Sequence, residues 1–225
     1  MSILEKIRTK VTPAGEAFVR TLVRWNVSPD AVTYLGLVLT VGVAILAGLG
    51  EIRWAGVAYI FAALCDSLDG VLARASGKGS RFGAFIDSTL DRFEESIVFL
   101  GLTLYYTRSG GQVEIPLILV VTVGSLMVSY TRARAEGLGV ACKVGFMGRP
   151  ARVVVAIAGM ILDQVLIALI ILAVTTLATS IQRMYHVWRV TGGEAGGWKP
   201  VKEPYILPTS PIPNSSQSEE VGNTP

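Results

Sequence analysis

With 225 residues, 51% hydrophobic side chains and a mean hydropathy of +0.53, the chain falls outside the range of soluble globular domains, and a bilayer is its expected solvent. The net charge is only +3, so the placement of charge carries more information than its sum. Two cysteines, Cys65 in an apolar run and Cys142 in a polar loop, are too few and too separated for a disulfide framework or a zinc site, and both are read as inert.

In chain order, residues 2–24 mix Ile3, Ile7, Phe18, Leu22 and Val23 with Lys6, Arg8, Lys10, Arg20 and Arg24. That pattern predicts a helix at the membrane surface, broken near Pro13 and Gly15. No long apolar core ends in a small-residue cleavage site, so the N-terminus is not read as a cleaved signal peptide.

Residues 31–50 are a chargeless apolar run, long enough to cross the hydrocarbon core as one helix. Further apolar stretches lie at about 54–73, 84–107, 115–131 and 153–182. As one helix the last would be about 45 Å long, which demands strong tilt, whereas a break at Asp163 and Gln164 makes two short spans. Basic residues near span ends accumulate on the cytoplasmic side. Six spans place every Lys and Arg there except Arg53, Arg92 and Arg108, so six are expected, with both termini inside. The predicted organisation is a juxtamembrane segment over 1–30, an all-α integral membrane domain over 31–189, and a disordered tail over 190–225 that is rich in Gly, Pro, Ser and Asn.

The segment DSLDGVLARASGKGSRFGAFIDSTLDRFEE starts at Asp66 and sets four aspartates at the cytoplasmic edge of the membrane. Asp66 and Asp69 are three apart on one predicted helix, and Asp87 and Asp91 four apart on the next, so each pair shares a helix face. Carboxylates at membrane depth each cost roughly 2.5–3.5 kcal/mol, and converging carboxylates call for a counter-cation. All-oxygen ligands suit Mg²⁺ or Mn²⁺. Gly70 and Gly83 leave room for a phosphate or a neighbouring backbone, and Arg74 and Lys78 stand where they can pair with phosphate oxygens. The plainer alternative has the acids bridging to Arg74, Arg81 and Arg92 to stabilise the bundle, but four aspartates outnumber what such bridging requires.

These residues resemble the signature of the CDP-alcohol phosphotransferase family, D-x2-D-G-x2-A-R, a short spacer, then G-x3-D-x3-D. All of its defining positions are present, as Asp66, Asp69, Gly70, Ala73, Arg74, Gly83, Asp87 and Asp91. The resemblance implies a six-helix, usually homodimeric enzyme of the cytoplasmic membrane, with its site facing the cytoplasm and no nucleic-acid partner. Asp66, Asp69 and Asp87 would hold two metal ions, and Asp91 would be the general base and a further metal contact. The donor would be a CDP-activated lipid such as CDP-diacylglycerol, attacked by an alcohol with release of CMP. Ser28, Pro29, Asp30 and Thr33 resemble the family's P-N-x-x-T element near the nucleotide pyrophosphate, with Asp30 where Asn is common. Pro29 and Asp30 also suit a plain helix start, and the two readings can coexist.

Arg132, Arg134, Lys143, Arg149 and Arg152 crowd one cytoplasmic loop region, which favours a phosphorylated acceptor, although the charge rule for membrane loops produces basic loops by itself. The run SYTRARAE, then G-F-x-x-R-P-x-R, then Gln182-Arg183 and Val187-Trp188, is similar to bacterial phosphatidylinositol-phosphate synthases. That similarity makes inositol phosphate the expected acceptor and Arg132, Arg149 and Arg183 the residues expected to hold its phosphate. His186, at a helix end, is assigned no role. Two rivals stand beside this reading: a phosphatidylglycerophosphate synthase using glycerol 3-phosphate, and a divalent-metal channel or transporter.

Overall fold

The computed structural model describes residue 19 and residues 21–77 and 79–192. Among these residues the secondary structure is entirely helical, with α1 over Pro29–Gly48, α2 over Ile52–Ser76, α3 over Arg81–Ser109, α4 over Glu114–Gly137, α5 over Arg149–Ile161 and α6 over Val165–Thr191. The juxtamembrane helix expected before residue 30 lies mostly outside the described residues, as do Lys78 and the tail beyond residue 192. Within that first segment residues 21–24 are helical.

Local chemistry sets the breaks. Ser28 precedes Pro29, whose fixed φ suits the first turn of α1. Gly77 ends α2 in the left-handed conformation. Ser80 caps α3, its hydroxyl accepting the Gly83 amide at 2.8 Å. The apolar run from 153 to 182 does divide, turning at Asp163 with φ +57.

Successive neighbours close into a ring: α1 packs on α2, α2 on α5, α5 on α6, α6 on α4, α4 on α3, and α3 back on α1. The shared core holds Val43, Ala55, Leu102, Val121, Met160, Leu169 and Leu172. Gly101 of α3 lies directly against the backbone of Ala44, where any side chain would collide, so α1 and α3 approach at backbone distance. The opposite faces are apolar and exposed, with Val38 at 66%, Leu119 at 65% and Val174 at 63% exposure. In water such a surface would be a severe liability, whereas hydrocarbon solvates it.

Four helices, α1, α2, α4 and α6, are long and apolar enough to cross a membrane. The remaining two differ for identifiable reasons. Helix α3 has the length, at 29 residues, but its first half carries the charged side chains of the site. Helix α5 has 13 residues and is about 20 Å long, less than the roughly 30 Å hydrocarbon core. It starts at Arg149, whose side chain meets the half-buried carboxylates of Asp66 on α2 and Asp91 on α3.

Candidate active site

The site lies where the end of α2, the first half of α3 and the start of α5 meet beside α1. Asp66 and Asp69 occupy the last turns of α2, and Asp87 and Asp91 the early turns of α3. Carboxylate oxygens of Asp66, Asp91 and Glu94 lie within 4.8 Å of one another. Gly36 of α1 backs this group: a Cβ there would stand 3.1 Å from Asp66 Oδ1 and 3.6 Å from Glu94 Oε1. A glycine at this point lets the carboxylates pack against the helix backbone.

Arg149, the first residue of α5, reaches into the group. Its Nη2 lies 2.5 Å from Asp66 Oδ2 and 2.8 Å from Glu94 Oε2, and its Nη1 lies 2.6 Å from Asp91 Oδ1. Arg92 approaches Asp91 at 3.6 Å. One turn along α5, Arg152 makes two 2.7 Å bonds to the two oxygens of Glu95, both residues being buried. Arg152 and Glu95 satisfy each other. The Arg149 cluster is not balanced: three carboxylates share the Arg149 guanidinium, Arg92 adds a longer contact to Asp91 only, and the buried Glu94 Oε1 has no hydrogen-bond partner.

The donor set fits a hard divalent cation. It consists of convergent carboxylate oxygens with no sulfur or imidazole, includes a buried oxygen lacking a partner, and carries excess negative charge. Asp66 and Asp91, two of the four aspartates expected to ligate metal, belong to this group. Asp69 and Asp87 instead line an adjoining cavity of about 220 Å³.

That cavity collects every described residue expected to bind the CDP-lipid: Pro29, Asp30 and Thr33 from α1, Asp69, Gly70, Ala73 and Arg74 from α2, and Gly83 from α3. Thr33 Oγ1 donates to the buried Asp69 Oδ2 at 2.6 Å, joining α1 to α2 along the cavity wall. Lys78 lies outside the described residues.

The three arginines expected to hold an acceptor phosphate have different partners. Arg149 sits in the carboxylate cluster. Arg132 is exposed on α4 and pairs with Glu136 at 2.9 Å. Arg183 is buried and donates to the carbonyls of Val144, at 3.0 Å, and Val128. With His186 Nε2 3.2 Å from Ala141 O, Arg183 clamps the loop between α4 and α5 onto α6. Cys65 and Cys142 are both free, and Cys142, within this loop, is buried.

Sequence reasoning gave Glu94 and Glu95 no role and saw Arg152 only as one of a crowd of basic residues. Glu94 lies three residues after Asp91 and seven after Asp87, so helical spacing alone places it on their face. Arg152 bears the same relation to Arg149. No spacing rule pairs α3 with α5.

Comparison with known proteins agrees with this geometry. The family model for CDP-alcohol phosphatidyltransferases matches residues 26–189. An archaetidylinositol phosphate synthase of Pyrococcus horikoshii is 34% identical over 185 residues, covering 82% of this chain and 96% of the relative. A phosphatidylinositol phosphate synthase of Mycobacteroides abscessus is 36% identical over 175 residues, 74% of this chain and 80% of the relative. Among solved structures, the Mycobacterium tuberculosis phosphatidylinositol phosphate synthase with CDP-DAG bound superposes with a TM-score of 0.72 at 32% identity, covering 77% of this chain and 93% of that one. The same enzyme in complex with manganese and citrate gives a TM-score of 0.69 at the same identity, covering 77% and 88%. The charge-bearing helices therefore belong to an enzyme rather than a metal channel, and the chain is a member of the CDP-alcohol phosphatidyltransferase family.

Proposed function

We propose that this enzyme transfers a phosphatidyl-type group from a CDP-activated lipid to the hydroxyl of inositol phosphate, releasing CMP and forming a phosphatidylinositol-phosphate-type lipid. The observation that carries the reading is the roughly 220 Å³ cavity of Pro29, Thr33, Asp69, Gly70, Arg74 and Gly83 opening beside the carboxylates of Asp66 and Asp91. The named activities of the Pyrococcus and Mycobacteroides relatives support inositol phosphate as acceptor, and the CDP-DAG in the Mycobacterium structure supports the donor headgroup.

Each side chain has a task in this scheme. Gly70 and Gly83 admit the diphosphate close to the backbone, and the exposed arm of Arg74 reaches its oxygens. Thr33 orients the Asp69 carboxylate through the 2.6 Å hydrogen bond. Asp66, Asp69 and Asp87 are the proposed holders of Mg²⁺ or Mn²⁺, with Asp91 as a further contact. When bound, such ions neutralise charge developing on the departing phosphate. Asp91 accepts the proton of the acceptor hydroxyl as that oxygen bonds to the lipid-bearing phosphorus, while the bond to the CMP oxygen breaks. Holding both reactants in one cleft converts a bimolecular encounter into an internal one.

The chain is proposed to span the cytoplasmic membrane six times, α3 and α5 completing the four apolar spans, with the site at the cytoplasmic side. The placement of its Lys and Arg residues supports that orientation.

The test is CMP release by purified protein from CDP-diacylglycerol, with inositol phosphate or glycerol 3-phosphate as acceptor. Turnover with inositol phosphate is expected. Turnover with glycerol 3-phosphate alone would make the enzyme a phosphatidylglycerophosphate synthase.

A further inference from the structure

Arg149 holds an unusual position for a residue that recognises an anionic substrate, because its own guanidinium is engaged by three carboxylates. From the charge balance, we infer that Arg149 is the resident counter-cation of the metal-free site and gives up Asp66 and Asp91 when these take up a divalent ion. The guanidinium so released becomes the anion-binding group for the acceptor. This rests on the acceptor-phosphate role proposed for Arg149 above and adds an order of events: the acceptor subsite is completed only after metal has loaded.

Three observations carry the inference. The first is stoichiometry. Asp66, Asp91 and Glu94 set three carboxylates against two guanidiniums, Arg149 among all three and Arg92 at 3.6 Å from Asp91 alone, so the cluster is compensated only in part and keeps its attraction for a further cation. The contrast with Arg152 is direct, since Arg152 and Glu95 pair one to one through two short bonds and have nothing left to exchange.

The second is the state of the individual atoms. Glu94 Oε1 and Arg149 Nε are both buried without a hydrogen-bond partner. A permanently closed ion-pair network satisfies such atoms, because each unpaired buried polar atom costs about 1–3 kcal/mol. Here one side chain spans a group built around a different ligand.

The third is room to move. Arg149 and Asp66 also line a second, mainly apolar cavity of about 460 Å³ between α2 and α5, which includes Leu64, Pro150, Val153 and Ile157. The Arg149 side chain keeps 21% of its surface exposed, while its neighbour Arg152 keeps 2%. Rotation about the long Arg149 side chain can withdraw its head from Asp66 and Asp91 without unwinding α5, and Glu94 stays behind as an anchor near the site.

The experiment labels arginine with phenylglyoxal on purified wild-type protein and follows Arg149, Arg132 and Arg152 by peptide mass mapping. Labelling runs first in chelator, then with Mg²⁺ or Mn²⁺, with neither donor nor acceptor present. The expected result is a several-fold faster modification of Arg149 on adding metal, with Arg132 and Arg152 unchanged. An Arg149 rate that metal leaves unchanged or lowers overturns the inference.

A second measurement is Mn²⁺ affinity by electron paramagnetic resonance. Arg149→Gln is expected to tighten Mn²⁺ binding by removing the competing cation, and Arg149→Lys to stay close to wild type. Equal or weaker binding in Arg149→Gln also overturns the exchange. Because no substrate is present, an enzyme that makes CMP with inositol phosphate yet shows no metal effect on Arg149 keeps its proposed function and loses only this inference.

Discussion

Arg152 and Glu95 face each other across α5 and α3 through two 2.7 Å hydrogen bonds, with 2% and 8% of their side-chain surface exposed. The pair sits one turn beyond Arg149 on α5 and beside Glu94 on α3, so it fixes how the two helices stand where the carboxylates converge. Arg152 Nη1 also donates to the Met147 carbonyl at 3.3 Å, pinning the incoming loop.

Removing one member of this pair strands the other as a buried charge, at a cost of about 3–5 kcal/mol. Glu95→Gln and Arg152→Met are each expected to lower the thermal unfolding midpoint of the detergent-solubilised protein markedly. An apolar replacement of both residues together should be milder than the sum of the two. Additive losses would show that the pair does not act as a unit.

Asp91→Asn keeps the shape of the proposed base and removes its ability to accept a proton. CMP release should fall by roughly 10²–10⁴-fold, the usual worth of a positioned general base, while CDP-lipid binding by calorimetry persists. CMP release near the wild-type rate would move the base elsewhere.

Thr33→Val removes the hydroxyl that donates to Asp69 Oδ2 and leaves a buried carboxylate oxygen unsupported. A loss on the order of 1–3 kcal/mol is expected, seen as a higher KM for the CDP-lipid, while Thr33→Ser stays near wild type. A serine variant as impaired as the valine variant would assign the effect to packing.

Gly36→Ala places a methyl 3.1 Å from Asp66 Oδ1, closer than the carboxylate tolerates without shifting. The change touches no substrate directly. Weaker Mn²⁺ binding with a nearly unchanged unfolding midpoint is expected, and wild-type metal affinity would mean that Gly36 does not shape the cluster.

Chelation should abolish CMP release reversibly, with Mg²⁺ or Mn²⁺ restoring it and Zn²⁺ a poor substitute, since every convergent donor here is a carboxylate oxygen. Turnover that persists in excess chelator would contradict the assigned metal role.

Much of the site was legible because its information is local. The spacings of Asp66 with Asp69 and of Asp87 with Asp91 are helix-face spacings, and a charged pair in an apolar chain has few places to go. Gly70 and Gly83 were legible because their type suits a close approach, whereas Pro29 and Thr33 were picked out by the resemblance to the family's P-N-x-x-T element, and the cavity unites all four. The break at Asp163 could be read from a polar dipeptide, Asp163-Gln164, interrupting an apolar run, and the structure places a positive φ at Asp163.

The distribution of partners was not legible in the same way. From spacing, the four aspartates form two facing pairs, with nothing to say which partner each would meet. The packing of α1 against α2 gives Asp69 a threonine, whereas the packing of α5 against α2 and α3 gives Asp66 and Asp91 an arginine. Glu94 and Glu95 are adjacent in sequence, yet one joins the cation cluster and the other is consumed by Arg152. Arg183, expected at the acceptor, also donates to the carbonyls of Val128 and Val144, partners that no sequence spacing announces.

By itself, then, the sequence determined the solvent, the helices and the chemical type of the site, because hydropathy, helical period and ligand hardness are properties of short segments. Only the tertiary structure decided which carboxylate meets which cation. Contacts between α5 and the distant α2 and α3 depend on helix length, tilt and the small residues that allow close approach, and no local pattern encodes them.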